Sequence, residues 1–289
     1  MSDLYNDVIA RTAAKMNEFA ANSATLSYPH AGLPDRTRVI RITERLRSLL
    51  FPGYFDSPAP GKNAYAAGWE LTQISDELER QCLAAYQTVC DEETAKARSR
   101  ETVLACIGEL PNVQKLLATD VEALYAGDPA AGSAVDVIFS YPGLNAITVY
   151  RLAHVLYKQK LPLIPRMMTE YAHGLTGIDI NAGAEIGSYF FIDHGTGVVI
   201  GETTRIGDNV KLYQGVTLGA LSTRKGILLA GTKRHPTLGN RVTVYSNASI
   251  LGGDTVIGDD SVIGGSVFLT HSVPAGTKVI VKNPEPEIV

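Results

Sequence analysis

The sequence predicts an α+β protein, an all-helical N-terminal domain followed by a parallel β-helix of hexapeptide repeats. Two observations predict it. Before Thr176 the apolar residues recur at helical spacing, and after it they recur every six residues. The second period carries glycines directly after the aliphatic position, at Gly187, Gly201, Gly207, Gly219, Gly252, Gly258 and Gly264. A glycine there lets each short strand turn a corner without a Cβ clash.

The helical half spans 1–176, and residues 1–60 read as a possible extended arm. Residues 52–68, rich in proline and glycine, read as an exposed linker. Trp69, Leu71, Ile74, Leu78, Cys82 and Leu83 then lie close to one helix stripe. The stretch 99–130 predicts two shorter helices split near Pro111 and ended by the breaker Gly127-Asp128-Pro129. Ile147, Tyr150, Leu152, Ala153 and Leu156 mark a further helix, and Pro162 and Pro165 stop it or open the next one.

The repeat domain spans 177–275. Ile180, Ile186 and Ile192 are followed, after a two-residue slip around His194, by Ile200, Ile206, Leu212 and Leu218. Leu251, Ile257, Ile263 and Leu269 resume the step after a lapse at 219–239. One coil cannot bury its own core, so the coils must stack, and a long insertion from one corner of a solenoid is usually a binding element. Residues 276–289 form a C-terminal tail.

The chain has 289 residues and a net charge of -4, which gives no basic face for a nucleic-acid duplex. No apolar run is long enough for a membrane helix, and the first residues lack a cationic stretch leading into an apolar one. Cys82, Cys90 and Cys106 are widely spaced, which argues against a disulfide framework and for a reducing cytoplasm. With no Cys or His cluster at ligand spacing, no catalytic metal is expected. His154 lies on the helix at 147–156 and His173 just before the repeat, His30 and His271 belong to no motif, and all four read as structural or exposed.

The segments "DPA" at 128–130, "YPGLNAITVYRLAHVLY" at 141–157, "GIDINAGAEIGSYFFIDHGTGVVIGET" at 177–203, "GVTLGA" at 215–220 and "RHPTLG" at 234–239 resemble the serine O-acetyltransferase family. "LRSLLFPGYF" at 46–55 is similar to its longer-armed variants. The resemblance implies a left-handed β-helix and transfer of an acetyl group from the co-substrate acetyl-CoA to L-serine, the first step of cysteine biosynthesis. A serine hydroxyl needs a base as it attacks the thioester, and histidine is suited to that work near neutral pH. The family's pattern puts that base at His194 and its partner carboxylate at Asp179, fifteen residues earlier and close to one coil away.

The resemblance also assigns Arg234 and His235 to the serine site, where a guanidinium can grip a carboxylate with paired hydrogen bonds. Asp128 and Asp193 would take the serine ammonium, and Glu202 matches an active-site acid. Asp128 also reads as a turn or cap residue before Pro129, and Glu202 as a solvated corner residue. Gly219 and Ala220 match the coenzyme A groove, and Arg224, Lys225 and Lys233 could meet its phosphates or form a solvated basic loop. The loop is longer than in short-looped members, and Lys233 replaces an acidic residue expected before Arg-His.

Family members form trimers, with sites between subunits, and can pair them, so a homotrimer or a dimer of trimers is implied. Some dock a tail ending in isoleucine into O-acetylserine sulfhydrylase, a pattern from which the terminal Ile288-Val289 departs. Two other readings remain: an acetyltransferase for another hydroxyl acceptor, and a non-catalytic regulatory scaffold. A carbonic anhydrase on the same fold would need a trio of zinc-binding histidines, which the repeat lacks.

Overall fold

The computed structural model describes residues 2–27, 32–55, 64–222, 224, 226–229 and 231–282. His30, Lys225 and the tail from 283 lie outside the described residues. The chain divides into two compact units, Met1–Leu33 and Pro34–Val289. The first unit is essentially one helix, α1 (Ser2–Asn22).

The second unit opens with α2 (Arg36–Leu50), capped by Asp35, whose carboxylate accepts the N–H groups of Thr37 and Arg38. Next come α3 (Ala64–Tyr86) and α4 (Glu92–Gly127), the latter started by Asp91 accepting from Thr94. On α3, Ile74, Leu78 and Cys82 are buried as the periodicity implies, whereas Trp69 is exposed. The split expected at Pro111 does not occur, and α4 runs straight through it. Leu110, Val113, Leu117, Val121 and Leu124 keep one face buried across the proline, so tertiary packing offsets the lost hydrogen bond.

Helices α5 (Ala134–Ser140), α6 (Pro142–Lys158) and α7 (Ile164–Thr176) complete the helical part. Pro142 and Pro165 each stand in a first turn, where a missing N–H costs little. The last helix ends in Gly177 at a φ of 70°. No helix among the described residues is long and apolar enough to cross a membrane.

From Asp179 onward fourteen short strands among the described residues wind into a parallel β-solenoid with three faces. The first face stacks β1 (Asp179–Ile180), β4 (Val199–Ile200), β7 (Thr217–Gly219), β10 (Ser249–Leu251) and β13 (Phe268–Leu269). The second stacks β2 (Glu185–Ile186), β5 (Arg205–Ile206), β8 (Thr237–Leu238) and β11 (Val256–Ile257). The third stacks β3 (Phe191–Asp193), β6 (Lys211–Tyr213), β9 (Thr243–Val244), β12 (Val262–Ile263) and β14 (Lys278–Val279). Ile180, Ile200, Leu218, Ile250 and Leu269 form one inward ladder, so Ile250 rather than Leu251 fills the core position of its coil. Leu251 instead pairs with Gly219, because the corner after it is a residue longer than the strict step allows.

The insertion leaves the solenoid after Gly219 and returns at Thr237, so both ends of 219–239 belong to strands. Past residue 275, β14 still pairs with β12. A buried ion pair joins the two parts of this unit. The Asp120 carboxylate on α4 accepts from Arg151 Nε at 2.6 Å and Nη2 at 2.8 Å. The same guanidinium donates to the Gly187 carbonyl, while Asp120 also accepts from the Phe190 N–H, so the first coil is pinned just ahead of β3.

Candidate active site

The first group of candidate residues gathers where β3 turns into β4. Asp179 pairs with Val199, but Val199 pairs with Thr217, so the first coil is two residues longer than the second. The extra residues form the turn at His194, Gly195, Thr196 and Gly197, with φ values of 57°, 75° and 81° at His194, Gly195 and Gly197. Gly195 is required there: its φ is left-handed, and a Cβ would meet Ile178 and Ile192. The strained turn pushes the His194 side chain outward, 72 % exposed, while Asp193 beside it is 19 % exposed. Asp193 Oδ1 accepts the His194 N–H at 2.7 Å, and its Oδ2 lies 3.6 Å from His194 Nε2.

Asp128 closes α4 next to this turn. Its Oδ1 accepts the Ala130 N–H at 2.8 Å and its Oδ2 accepts the Tyr141 hydroxyl at 2.5 Å. It is thus both the turn residue and a member of the group. The Tyr141 hydrogen bond, then the Ala130 N–H, hold the carboxyl below the usual carboxylate range, and the charge of His194 acts in the same sense. Tyr141 is pushed up to about 12, first by its bond to Asp128. Tyr213 stacks on Tyr245 with ring centroids 5.2 Å apart, and the charges of Asp193 and Asp128 reach its hydroxyl. Neither Asp128 nor Asp193 has a lysine or arginine ion-pair partner among the described residues.

Asp179 begins β1 and faces α7. Arg166 Nη1 lies 3.8 Å from it and also binds Glu170, and Glu170 accepts from His173 at 3.2 Å. Glu170, His173 and Asp179 bring ligand-type atoms within 4.8 Å of one another, but the Arg166 guanidinium already supplies the positive charge. Within the single chain no hydrogen bond or ion pair joins Asp179 to His194.

The second group lies on a different corner, between the first and second faces. Glu202 pairs with Arg234 Nη2 and accepts the Tyr157 hydroxyl at 2.8 Å. Burial pushes its pKa up, but the hydrogen bonds from Arg234 and Tyr157 outweigh this and leave it below the ordinary value. Thr203 Oγ1 accepts the backbone N–H groups of Arg234 and His235 at 2.9 and 3.1 Å. His235 is 8 % exposed and its Nδ1 accepts the Thr203 N–H at 3.1 Å, so the neutral ring carries its proton on Nε2. Burial, then the neighbouring Arg234 charge, push its pKa down to about 4. Gly201 leaves room for this ring, since a Cβ would strike it.

Lys233 does not reach outward. Its ammonium donates to the Thr203 carbonyl at 2.6 Å and the Pro236 carbonyl at 3.2 Å. An acidic residue could not make these bonds, so the lysine ties the base of the insertion to the Glu202–Thr203 corner. Arg234 Nη1 adds a bond to the Leu229 carbonyl at 3.3 Å. Gly219 ends β7 under Leu251, Ala220 follows it half-buried, and Arg224 is exposed. A groove of about 810 Å³ opens beside Glu202, lined by His154, Tyr157, Lys158 and Gly183 among others. His154 itself bonds the Ala182 carbonyl through Nδ1 at 2.8 Å.

Three side chains of these groups escaped the sequence reading: Tyr141, Tyr157 and Thr203. Thr203 adjoins Glu202 in "GET", a signal that could have found it. The two tyrosines sit in a helical stretch and reveal their targets only through packing.

A β-solenoid behind a helical part, with an exposed imidazole on one corner and a guanidinium–carboxylate pair on another, defines a hexapeptide-repeat transferase. No family model matches the chain. It is 45% identical over 258 residues to the plasmid serine acetyltransferase of Synechococcus elongatus, spanning 85% of this chain and 81% of that one. It is 44% identical over 166 residues to the serine acetyltransferase of Bacillus subtilis, 57% of this chain and 73% of that one. Among solved structures it is similar to serine acetyltransferase 1 of Entamoeba histolytica in complex with L-cysteine, with a TM-score of 0.74 at 36% identity over 97% of this chain and 99% of that one. The chain belongs to the serine acetyltransferase family, and it is an acyltransferase.

Proposed function

We propose that the chain transfers the acetyl group of acetyl-CoA to the hydroxyl of L-serine, with His194 as general base. The observation that carries this reading is the lengthened turn that holds His194 outward beside the carboxylates Asp193 and Asp128, which have no lysine or arginine ion-pair partner among the described residues. The imidazole takes the serine hydroxyl proton as the oxygen attacks the thioester carbonyl. The tetrahedral intermediate collapses, the carbon–sulfur bond breaks, and the thiolate of coenzyme A leaves and receives that proton. Asp128 and Asp193 bind the ammonium, and Arg234 binds the carboxylate of the amino acid, with Glu202 and His235 fixing its direction.

The two groups stand on different corners of one solenoid, and the charges that shift Asp128 and His235 each come from that residue's own group. A single amino acid touching both is therefore held between two copies of the chain, which supports a trimeric assembly. In that assembly Asp179 is the partner carboxylate of His194, as the family pattern suggests. Gly219 and Ala220 line the path of coenzyme A, and the exposed Arg224 is free to meet a phosphate, whereas Lys233 serves the loop base instead. Three free cysteines suit a reducing compartment such as the cytoplasm.

The test is thiol release from acetyl-CoA by the purified protein. Release that requires L-serine and falls away in His194→Ala supports the reading. Release with another hydroxyl acceptor but not serine overturns the substrate, and release that survives in His194→Ala overturns the base.

A further inference from the structure

We infer that Tyr141 is a positioning residue for amino-acid binding, holding Asp128 in the orientation that receives the substrate ammonium. The inference rests on the proposed role of Asp128 and gives a role to Tyr141, which opens the segment at 141–157 but was assigned none there.

Tyr141 precedes Pro142, whose ring fixes the start of α6. The backbone N–H of Tyr141 bonds the Val137 carbonyl, so the residue links the end of α5 to the start of α6. Its side chain makes no cap bond to α6. The hydroxyl instead reaches back to Asp128 Oδ2 at 2.5 Å, across a separation of 13 residues. A helix-starting tyrosine has no need of that bond for its own fold.

The consequence falls on Asp128. Oδ1 is held by the Ala130 N–H and Oδ2 by the phenol, so each oxygen keeps a lone pair free and the carboxylate plane is fixed. Among the described residues no cation competes for it through an ion pair, and Asp193 across the turn is paired only with His194. An ammonium group is the complementary ligand for two such carboxylates. A phenol donor also favours the ionised form, in line with the lowered pKa of Asp128.

Tyr141→Phe keeps the ring and its packing and removes only the donor. The expected result is a rise of about tenfold in KM for serine, the size of one lost hydrogen bond to a charged group, with kcat and the KM for acetyl-CoA within about twofold. In an Asp128→Asn background the same substitution should then cost nothing further. An unchanged KM for serine in Tyr141→Phe, with Asp128→Asn impaired, overturns the inference alone. A full penalty persisting in the Asp128→Asn background also overturns it, by showing that the phenol acts on something other than Asp128. If Asp128→Asn itself binds serine normally, the assignment of Asp128 fails and this inference with it.

Discussion

His194 and His235 are the same side chain in opposite surroundings. His194 stands on a left-handed turn, largely exposed, among carboxylates. His235 is buried, its Nδ1 occupied by a backbone N–H, beside a guanidinium that pushes its pKa down to about 4. An imidazole held neutral and enclosed is a fixed hydrogen-bonding group, whereas one that can reach a substrate proton and receive charge is a base. In the proposed function the two corners therefore divide the labour of binding and proton transfer between them.

The sharpest way to break this division is to delete each imidazole. His194→Ala should lower kcat by roughly 10²–10⁴-fold, the range for a lost general base, with the thermal midpoint unchanged. His235→Ala should act mainly through the KM for serine. Equal losses of kcat in both variants would erase the distinction.

Next in size is the anchor behind the first corner. Arg151→Ala leaves Asp120 buried without its partner, and urea unfolding should show a loss of roughly 3–5 kcal/mol. Arg234→Ala, on the second corner, should raise the KM for serine roughly 10- to 100-fold, since paired charged hydrogen bonds are lost, and leave stability nearly intact.

The pH dependence of stability separates the corners further. The folded pKa of His235 lies below the ordinary 6.5, so the folded protein resists taking a proton that the unfolded chain accepts. Stability from this residue is complete above pH 6.5 and is lost as the pH falls toward about 4. The thermal midpoint of His235→Asn should fall less steeply than that of the parent over this window. The smallest effect belongs to the exposed Glu185–Arg205 pair on the second face, where Arg205→Ala should change stability by less than about 1 kcal/mol.

Much of the candidate site was legible because it sits in a repeat. Any departure from a six-residue step is visible in one dimension, and both departures carry candidate residues: the slip at His194 and the lapse before Arg234. Leu251 was misread for the same reason in reverse, since a corner one residue longer moves the core position to Ile250 without changing the residue types. In the helical half, α4 continued through Pro111 because a buried face outweighed one missing hydrogen bond.

The sequence by itself determined the two-part architecture and the identity of the titratable groups, because periodicity and residue type are local properties. Only the tertiary structure decided which groups meet. Tyr141 reaches Asp128, Tyr157 reaches Glu202, Lys233 turns inward to two carbonyls, and Asp179 faces Arg166. These pairings follow from how helices dock on a solenoid, and burial at each contact then sets whether an ionisable group binds, holds or moves a proton.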